Sequence, residues 1–184
     1  MRVLAISGSL RAASHNTALL RAAAELAPEG VDVELYDGLE LLPPYNEDQD
    51  TDAPAPEVAR LREAIGSADA VLIATPEYNG TMPGHLKTAV DWASRPHRES
   101  SLWGKPVAVV GASVTDYGAV WAQDHLRKAL GLAGARVTEG DLPLARAPER
   151  FDADGVLIDL ELRERVAEVV ANLVDHAGAL AKAA

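Results

Sequence analysis

Two hydrophobic periods alternate along this chain. One is near-continuous or every-second apolar positions, and the other has apolar residues at every third or fourth position. Residues 2–7 (Arg-Val-Leu-Ala-Ile-Ser) predict a first strand, and 31–35 (Val-Asp-Val-Glu-Leu) alternate as an edge strand does. The runs 69–75 and 105–111 are almost wholly apolar, which suits central parallel strands buried on both faces. A short fifth strand is expected at 135–138. Helical spacing fills the gaps at about 16–27, 55–67, 84–94 and 119–133. A last helix follows, with Leu162, Val166, Val169, Val170, Leu173, Ala177 and Leu180 on one face. Strand and helix in regular alternation predict one α/β domain over residues 1–184. Its architecture is a doubly wound, five-stranded parallel sheet in order 2-1-3-4-5, with helices on both faces.

Two longer loops remain, 36–54 and 139–159. The first carries Leu41-Leu42-Pro43-Pro44-Tyr45 and then an acidic run from Glu47 to Asp52. The acidic run reads as solvated surface, and the apolar front half as a patch that packs on a neighbouring subunit.

Composition narrows the chemistry. The 184 residues are 48% apolar and 24% charged, with 28 acidic and 17 basic side chains and a formal net charge of −11. Such a chain is a poor partner for nucleic acid or an anionic membrane, so neither is expected. No stretch approaches the ~20 apolar residues that span a bilayer. The N-terminus enters a strand pattern at once, without a basic region and apolar signal core, so a cytoplasmic location is expected. Without cysteine there is no thiol nucleophile or thiolate metal site, and the five histidines lack metal-ligand spacing. An α/β-hydrolase elbow is also missing. Any anionic ligand must be held locally, against the field of the whole chain.

Three loops, each following a strand, offer that local chemistry. The first reads Ser7-Gly8-Ser9-Leu10-Arg11-Ala12-Ala13-Ser14-His15-Asn16-Thr17 and opens a helix. Unpaired N–H groups and the helix dipole favour an anion there. Ser9, Ser14 and Thr17 add hydroxyls, Asn16 an amide, and Arg11 the charge able to grip a phosphate. The loop lacks the lysine of a P-loop and the three glycines of a dinucleotide fingerprint. The second loop spans Pro76, Glu77, Tyr78, Asn79 and Gly80, with Pro83-Gly84 beyond. Its turn residues leave Tyr78 where a flat ligand could stack and the backbone of Asn79 and Gly80 where it could reach that ligand's polar edge. The third is Gly111-Ala112-Ser113. Lys87 and Asp91 stand one helical turn apart, as a surface ion pair would.

The second loop, with Pro76-Glu77-Tyr78-Asn79-Gly80-Thr81 leading into Leu86-Lys87-Thr88-Ala89-Val90-Asp91-Trp92, resembles the isoalloxazine-binding loop of the NADPH-dependent FMN reductase family, a flavodoxin-like group. The first loop is similar to that family's phosphate loop at Gly8, Ser9, Leu10, Arg11, Ser14 and Asn16, and Gly111-Ala112-Ser113 matches the loop beside the flavin ring. The resemblance implies bound FMN, with Ser9, Leu10, Arg11, Ser14, His15, Asn16 and Thr17 around its phosphate. Pro76, Glu77, Tyr78, Asn79 and Gly80 would border the ring, and Ser113 would face it from the opposite side. It further implies NADPH or NADH as donor and a ping-pong cycle to a small-molecule acceptor: a quinone, azo dye, metal ion or free flavin. No catalytic acid or base is assigned, because the cofactor carries the chemistry. The family often has a glycine pair and an arginine where this chain has Gly118-Ala119 and Trp121, and Trp121 reads as a core or subunit-interface residue.

A flavodoxin-type electron carrier is one alternative. A Thr-rich phosphate loop without arginine and aromatics on both ring faces would mark it, and this chain has neither. A flavin-binding regulator without turnover is the other. Family members are dimers or tetramers, so a homodimer or homotetramer with FMN near the interface is expected. Met82, Pro83, Leu86, Val90 and Trp92 would supply the exposed apolar face.

Overall fold

The computed structural model describes residues 1–140 and 142–183; Asp141, in the second long loop, and Ala184 lie outside the described residues. Strands β1 (Arg2–Ser7), β2 (Asp32–Leu35), β3 (Ala70–Ala74), β4 (Pro106–Ala112) and β5 (Arg136–Val137) form a parallel sheet in the expected order β2-β1-β3-β4-β5. Registers such as Val3↔Val33, Ala5↔Leu72 and Leu72↔Ala108 set the strands side by side, so all their carboxyl ends share one edge.

Side chains alternate across the sheet, and each face has its own core. Val3, Ala5, Leu72, Ala108 and Val110 point to one side, where α1 (His15–Glu25) and α5 (Leu160–Ala183) cover them. Leu4, Ile6, Val71, Ile73, Val107 and Val109 point to the other, under α2 (Pro56–Ser67), α3 (Gly84–Ala93) and α4 (Val120–Leu132). Burial on both faces is why β3 and β4 read as unbroken apolar runs, while β2 at the edge leaves Asp32 and Glu34 exposed. Leu162, Val166, Val170, Leu173 and Ala177 form the buried stripe of α5.

The fifth strand position is divided. Residues Arg136–Val137 pair with Pro106 and Val107, and a separate β6 (Pro143–Leu144), within the stretch read as loop, pairs in parallel with Gly111 and Ala112. The Arg127 guanidinium fills the interval between them. It donates to Thr138 O at 2.7 Å, to Val109 O at 2.9 Å and to Gly140 O. One side chain on α4 thus supplies donors to a stretch of β4 that a continuous neighbouring strand would have supplied.

One expectation fails on burial. Met82, Pro83, Leu86, Val90 and Trp92 do not form an exposed apolar face; all five are buried in the chain itself, with Trp92 at 1% exposure. Helix α3 lies between α2, α4 and the sheet, so its apolar side has no surface to offer. The loop 36–54 is partly fastened inward. Trp92 Nε1–H donates to Pro43 O at 2.8 Å, Tyr45 packs edge-on against Trp92 at 4.8 Å, and Arg62 pairs with Asp50 at 2.7 Å. Leu42 and Tyr45 are partly buried against the core under α2 and α3, while Leu41 and Pro44 of the same apolar stretch are exposed. Among the described residues no helix is long and apolar enough to cross a membrane.

Candidate functional site

The three loops meet at the carboxyl edge of β1, β3 and β4 and line one cleft. Ser9, Arg11, Ser14, His15 and Asn16 come from the first loop, Pro76, Glu77 and Tyr78 from the second, and Ala112, Ser113 and Val114 from the third. A crevice outside the carboxyl ends of strands is where open α/β sheets bind ligands.

Its first wall is rich in hydrogen-bond donors. Ser14 caps α1 by accepting from Thr17 N–H at 3.2 Å, and Thr17 Oγ1 meets Ser7 Oγ at 2.8 Å. Among the described residues, no backbone N–H from Leu10 through Asn16 finds a protein acceptor. Arg11 is exposed and makes no hydrogen bond or ion pair among the described residues. Leu10 is half exposed beside it, so any part it plays in holding an anion is through its backbone N–H. Packing fixes the loop's path. A Cβ on Gly8 would stand 2.7 Å from Leu86 Cδ2 and 3.2 Å from Ala74 O, and Gly8 O accepts from His85 Nε2 at 2.9 Å. Because a carbonyl only accepts, that bond requires the proton on Nε2 of His85.

Asn16 does something other than what its loop position suggested. Its amide is 4% exposed. Oδ1 accepts from Ala112 N–H and Nδ2 donates to Ala112 O, both at 2.9 Å. It ties the first loop to the third, and its polar atoms face β4 rather than an anion. The His15 ring stacks on Phe151, with centroids 5.5 Å apart. Burial, then the nearby Arg11 charge, pushes the His15 imidazole below its ordinary pKa, so it is held neutral at physiological pH.

The second wall is a tight hairpin. Tyr78 and Thr81 exchange backbone bonds of 3.0 and 3.2 Å, and Asn79 and Gly80 between them have φ of 53° and 76°. Both central residues lie in the left-handed region, the two-residue turn for which Asn-Gly is the preferred sequence. The N–H groups of Asn79 and Gly80 have no acceptor among the described residues, and the Tyr78 ring is 47% exposed. Glu77 is spent on structure: its Oε2 accepts from Ala122 N–H at 3.1 Å, capping the first turn of α4 from another loop. No local signal announces a cap 45 residues away, so the sequence places Glu77 only among the residues expected to border the ring. Across the cleft, Ser113 Oγ accepts from Thr115 N–H at 3.1 Å. Trp121, read as a core or interface residue, is 45% exposed and packs at 4.8 Å against Tyr117. Lys87 and Asp91 form the expected surface pair at 2.6 Å.

Such a cleft suits a long ligand with an anion at one end and a flat, polar-edged ring at the other. The unpaired N–H array and Arg11 answer the first, and the Tyr78 face with the Asn79 and Gly80 N–H groups answers the second. FMN has this form, so the residues present fit it.

Comparison with known proteins agrees. Residues 1–149 match the family model for NADPH-dependent FMN reductase. An NAD(P)H-dependent FMN reductase from Pseudomonas aeruginosa is 45% identical over 167 residues, covering 90% of this chain and 89% of that protein. A 2-hydroxy-1,4-benzoquinone reductase from Burkholderia is 40% identical over 166 residues, covering 89% of each. Among solved structures, a flavoenzyme NAD(P)H:(acceptor) oxidoreductase from Paracoccus denitrificans superposes with a TM-score of 0.81 at 37% identity, covering 95% of this chain and 98% of that one.

Proposed function

The chain belongs to the NADPH-dependent FMN reductase family, and we propose that its three-loop cleft holds FMN and serves NAD(P)H and a small-molecule acceptor in turn, in a ping-pong cycle. It is an oxidoreductase with FMN and NAD(P)H as cofactors. Bound FMN supplies two-electron chemistry between a hydride donor and an acceptor. The protein's part is to bind, orient and shield. In the proposal, Arg11, the free N–H groups of Leu10 through Asn16 and the Ser9, Ser14 and Thr17 hydroxyls hold the phosphate. Tyr78 offers its face to the ring, the N–H groups of Asn79 and Gly80 reach the ring's polar edge, and Pro76 shapes the loop. Asn16 and Glu77 act as positioning residues, since both spend their side chains on joining loops. Ser113 lies on the opposite side of the cleft. A quinone is the acceptor we favour, because relatives at 35–45% identity are named for quinone or FMN reduction. We further propose a cytoplasmic homodimer or homotetramer. Its apolar contact would use exposed residues such as Trp103 and Leu132 in place of the buried α3 face, and light scattering tests it.

The observation that carries this reading is Arg11 beside a row of N–H groups, all without partners among the described residues, at one end of a cleft whose other end is an exposed tyrosine. Two measurements test it. NADH or NADPH should bleach the FMN-loaded protein anaerobically. Arg11→Ala should raise the FMN dissociation constant by about ten- to a hundredfold, the value of a charge-assisted hydrogen bond of roughly 1.5–3 kcal/mol. Riboflavin lacks the phosphate and should bind the variant and the wild type alike. Equal weakening of both ligands would show that Arg11 is structural.

A further inference from the structure

The loop that continues from Val114, the last residue of the cleft's third wall, carries two aromatic rings that the cofactor reading does not use and that lie outside the cleft lining. Tyr117 and Trp121 are 60% and 45% exposed, with centroids 4.8 Å apart and planes inclined by 45°. Single exposed apolar residues are ordinary, but a joined aromatic pair on a fixed frame is an uncommon use of surface.

The frame is fixed from both ends. Gly118, between the two rings, has φ 59°, and a Cβ there would fall 2.5 Å from the Pro143 carbonyl carbon. Tyr117 N–H reaches Thr115 Oγ1 at 3.4 Å, while Thr115 O accepts from Arg146 N–H at 3.0 Å. On the helix side, Ala122 N–H is held by Glu77 of the ring loop, and His125 Nδ1 lies 3.0 Å from Thr81 Oγ1 of the same loop. Trp121 and His125 are four residues apart and share one face of α4, so Trp121 stands on the side of the helix that meets the ring loop. The adjacent carboxylate of Asp116 is matched by Arg146 at 2.5 Å, and the exposed carboxylate of Asp124, one helical turn from Trp121 on α4, disfavours an anionic ligand.

We propose that Tyr117 and Trp121 form the wall that selects the oxidant, a flat, uncharged aromatic of the quinone class, by stacking against it at the mouth of the cleft. This rests on the reading that the cleft holds FMN. The reaction balances as follows: the quinone gains two electrons and two protons to become a hydroquinone. NAD(P)H provides the hydride, hence both electrons and one proton, and solvent provides the second proton. Chromate, ferric complexes and sulfonated azo dyes carry charges that the wall does not meet, and they are poorer substrates.

The test uses 1,4-naphthoquinone and the FMN-loaded protein. Titrated without a nicotinamide, naphthoquinone should quench tryptophan emission saturably. Trp121→Phe should remove most of that quenching while keeping the KM within about twofold, because a ring is retained. The double variant Tyr117→Ala, Trp121→Ala should raise the naphthoquinone KM roughly tenfold or more, the combined worth of two aromatic contacts. The KM for ferricyanide and the rate of anaerobic bleaching by NADH should hold. An unchanged naphthoquinone KM, or an equal loss with ferricyanide, overturns the proposal. So does a wild-type Trp121 shielded from acrylamide, which would mean that a second copy of the chain covers it. A wild type that no nicotinamide bleaches would defeat the oxidoreductase reading instead, and the donor-free quenching would still report on the wall.

Discussion

Removing the Asn16 amide should separate two of the three loops while leaving in place every group proposed to hold the phosphate. The amide is buried and joined to both backbone groups of Ala112 by bonds of 2.9 Å. Asn16→Ala strips partners from a buried N–H and a buried C=O at once. Each such group costs about 1–3 kcal/mol when left unpaired, so the pair costs about 2–6. A water entering the space left by the amide recovers part of this, and the expected loss is about 2–4 kcal/mol. In urea, with a slope in the usual range of about 1–3 kcal/mol/M, the midpoint should fall by about 1 M or more. Asn16→Asp is the sharper probe, because it keeps shape and one acceptor. Its second oxygen then faces the Ala112 carbonyl, two acceptors at hydrogen-bond range, unless the acid keeps its proton and donates. The folded-state pKa of that acid is therefore raised above the usual ~3.9. A group raised in the folded state stabilises fully below its unfolded pKa and loses that contribution as pH rises through the folded one. The Asp variant should thus lie closer to wild type at pH 4 than at pH 7. Urea melts of the three proteins at both pH values decide the matter. If Asn16→Ala stays within 0.5 kcal/mol of wild type, or the deficit of the Asp variant is independent of pH, the amide is not the tie described above.

Two further outcomes follow from the same cleft. Tyr78→Ala should weaken FMN and riboflavin alike by about 1 kcal/mol, a stacking contribution, without lowering the urea midpoint, since the ring is exposed; a wild-type affinity for FMN would place the ring elsewhere. The His15 imidazole, held below its ordinary pKa by burial and by Arg11, is neutral in the folded chain when it would be charged in the unfolded one. Stability should therefore decline as pH falls below about 6.5, and FMN, whose phosphate opposes the Arg11 charge, should raise the His15 pKa in an NMR titration. An unmoved His15 resonance on FMN binding would contradict a phosphate beside Arg11.

The sequence by itself determined the order of elements and the sheet edge at which the three candidate loops gather. Strands β3 and β4 must be covered on both faces to tolerate unbroken apolar runs, and that requirement alone imposes helices on both sides of a parallel sheet. Arg11, the small residues around it and the Asn-Gly turn after Tyr78 are local features, legible because capping and turn chemistry act within a few residues. What the tertiary structure decided is who meets whom over long separations. Asn16 looks like one more donor to an anion until Ala112, 96 residues away, takes both ends of its amide. Glu77 reads as a loop carboxylate until α4 presents an uncapped N–H to it. The apolar side of α3 was evident from its spacing, but spacing records only that a face is apolar and not which neighbour covers it. Helices α2 and α4 and the loop around Pro43 cover it here, so Trp92 is buried, while Trp121, read as a core or subunit-interface residue, lies outside the core of the chain. Likewise the break in the fifth strand is invisible locally, because the donors that fill it belong to Arg127 on a helix. Period and turn chemistry are properties of neighbours in sequence; burial and pairing are properties of neighbours in space, and only the packed chain fixes those.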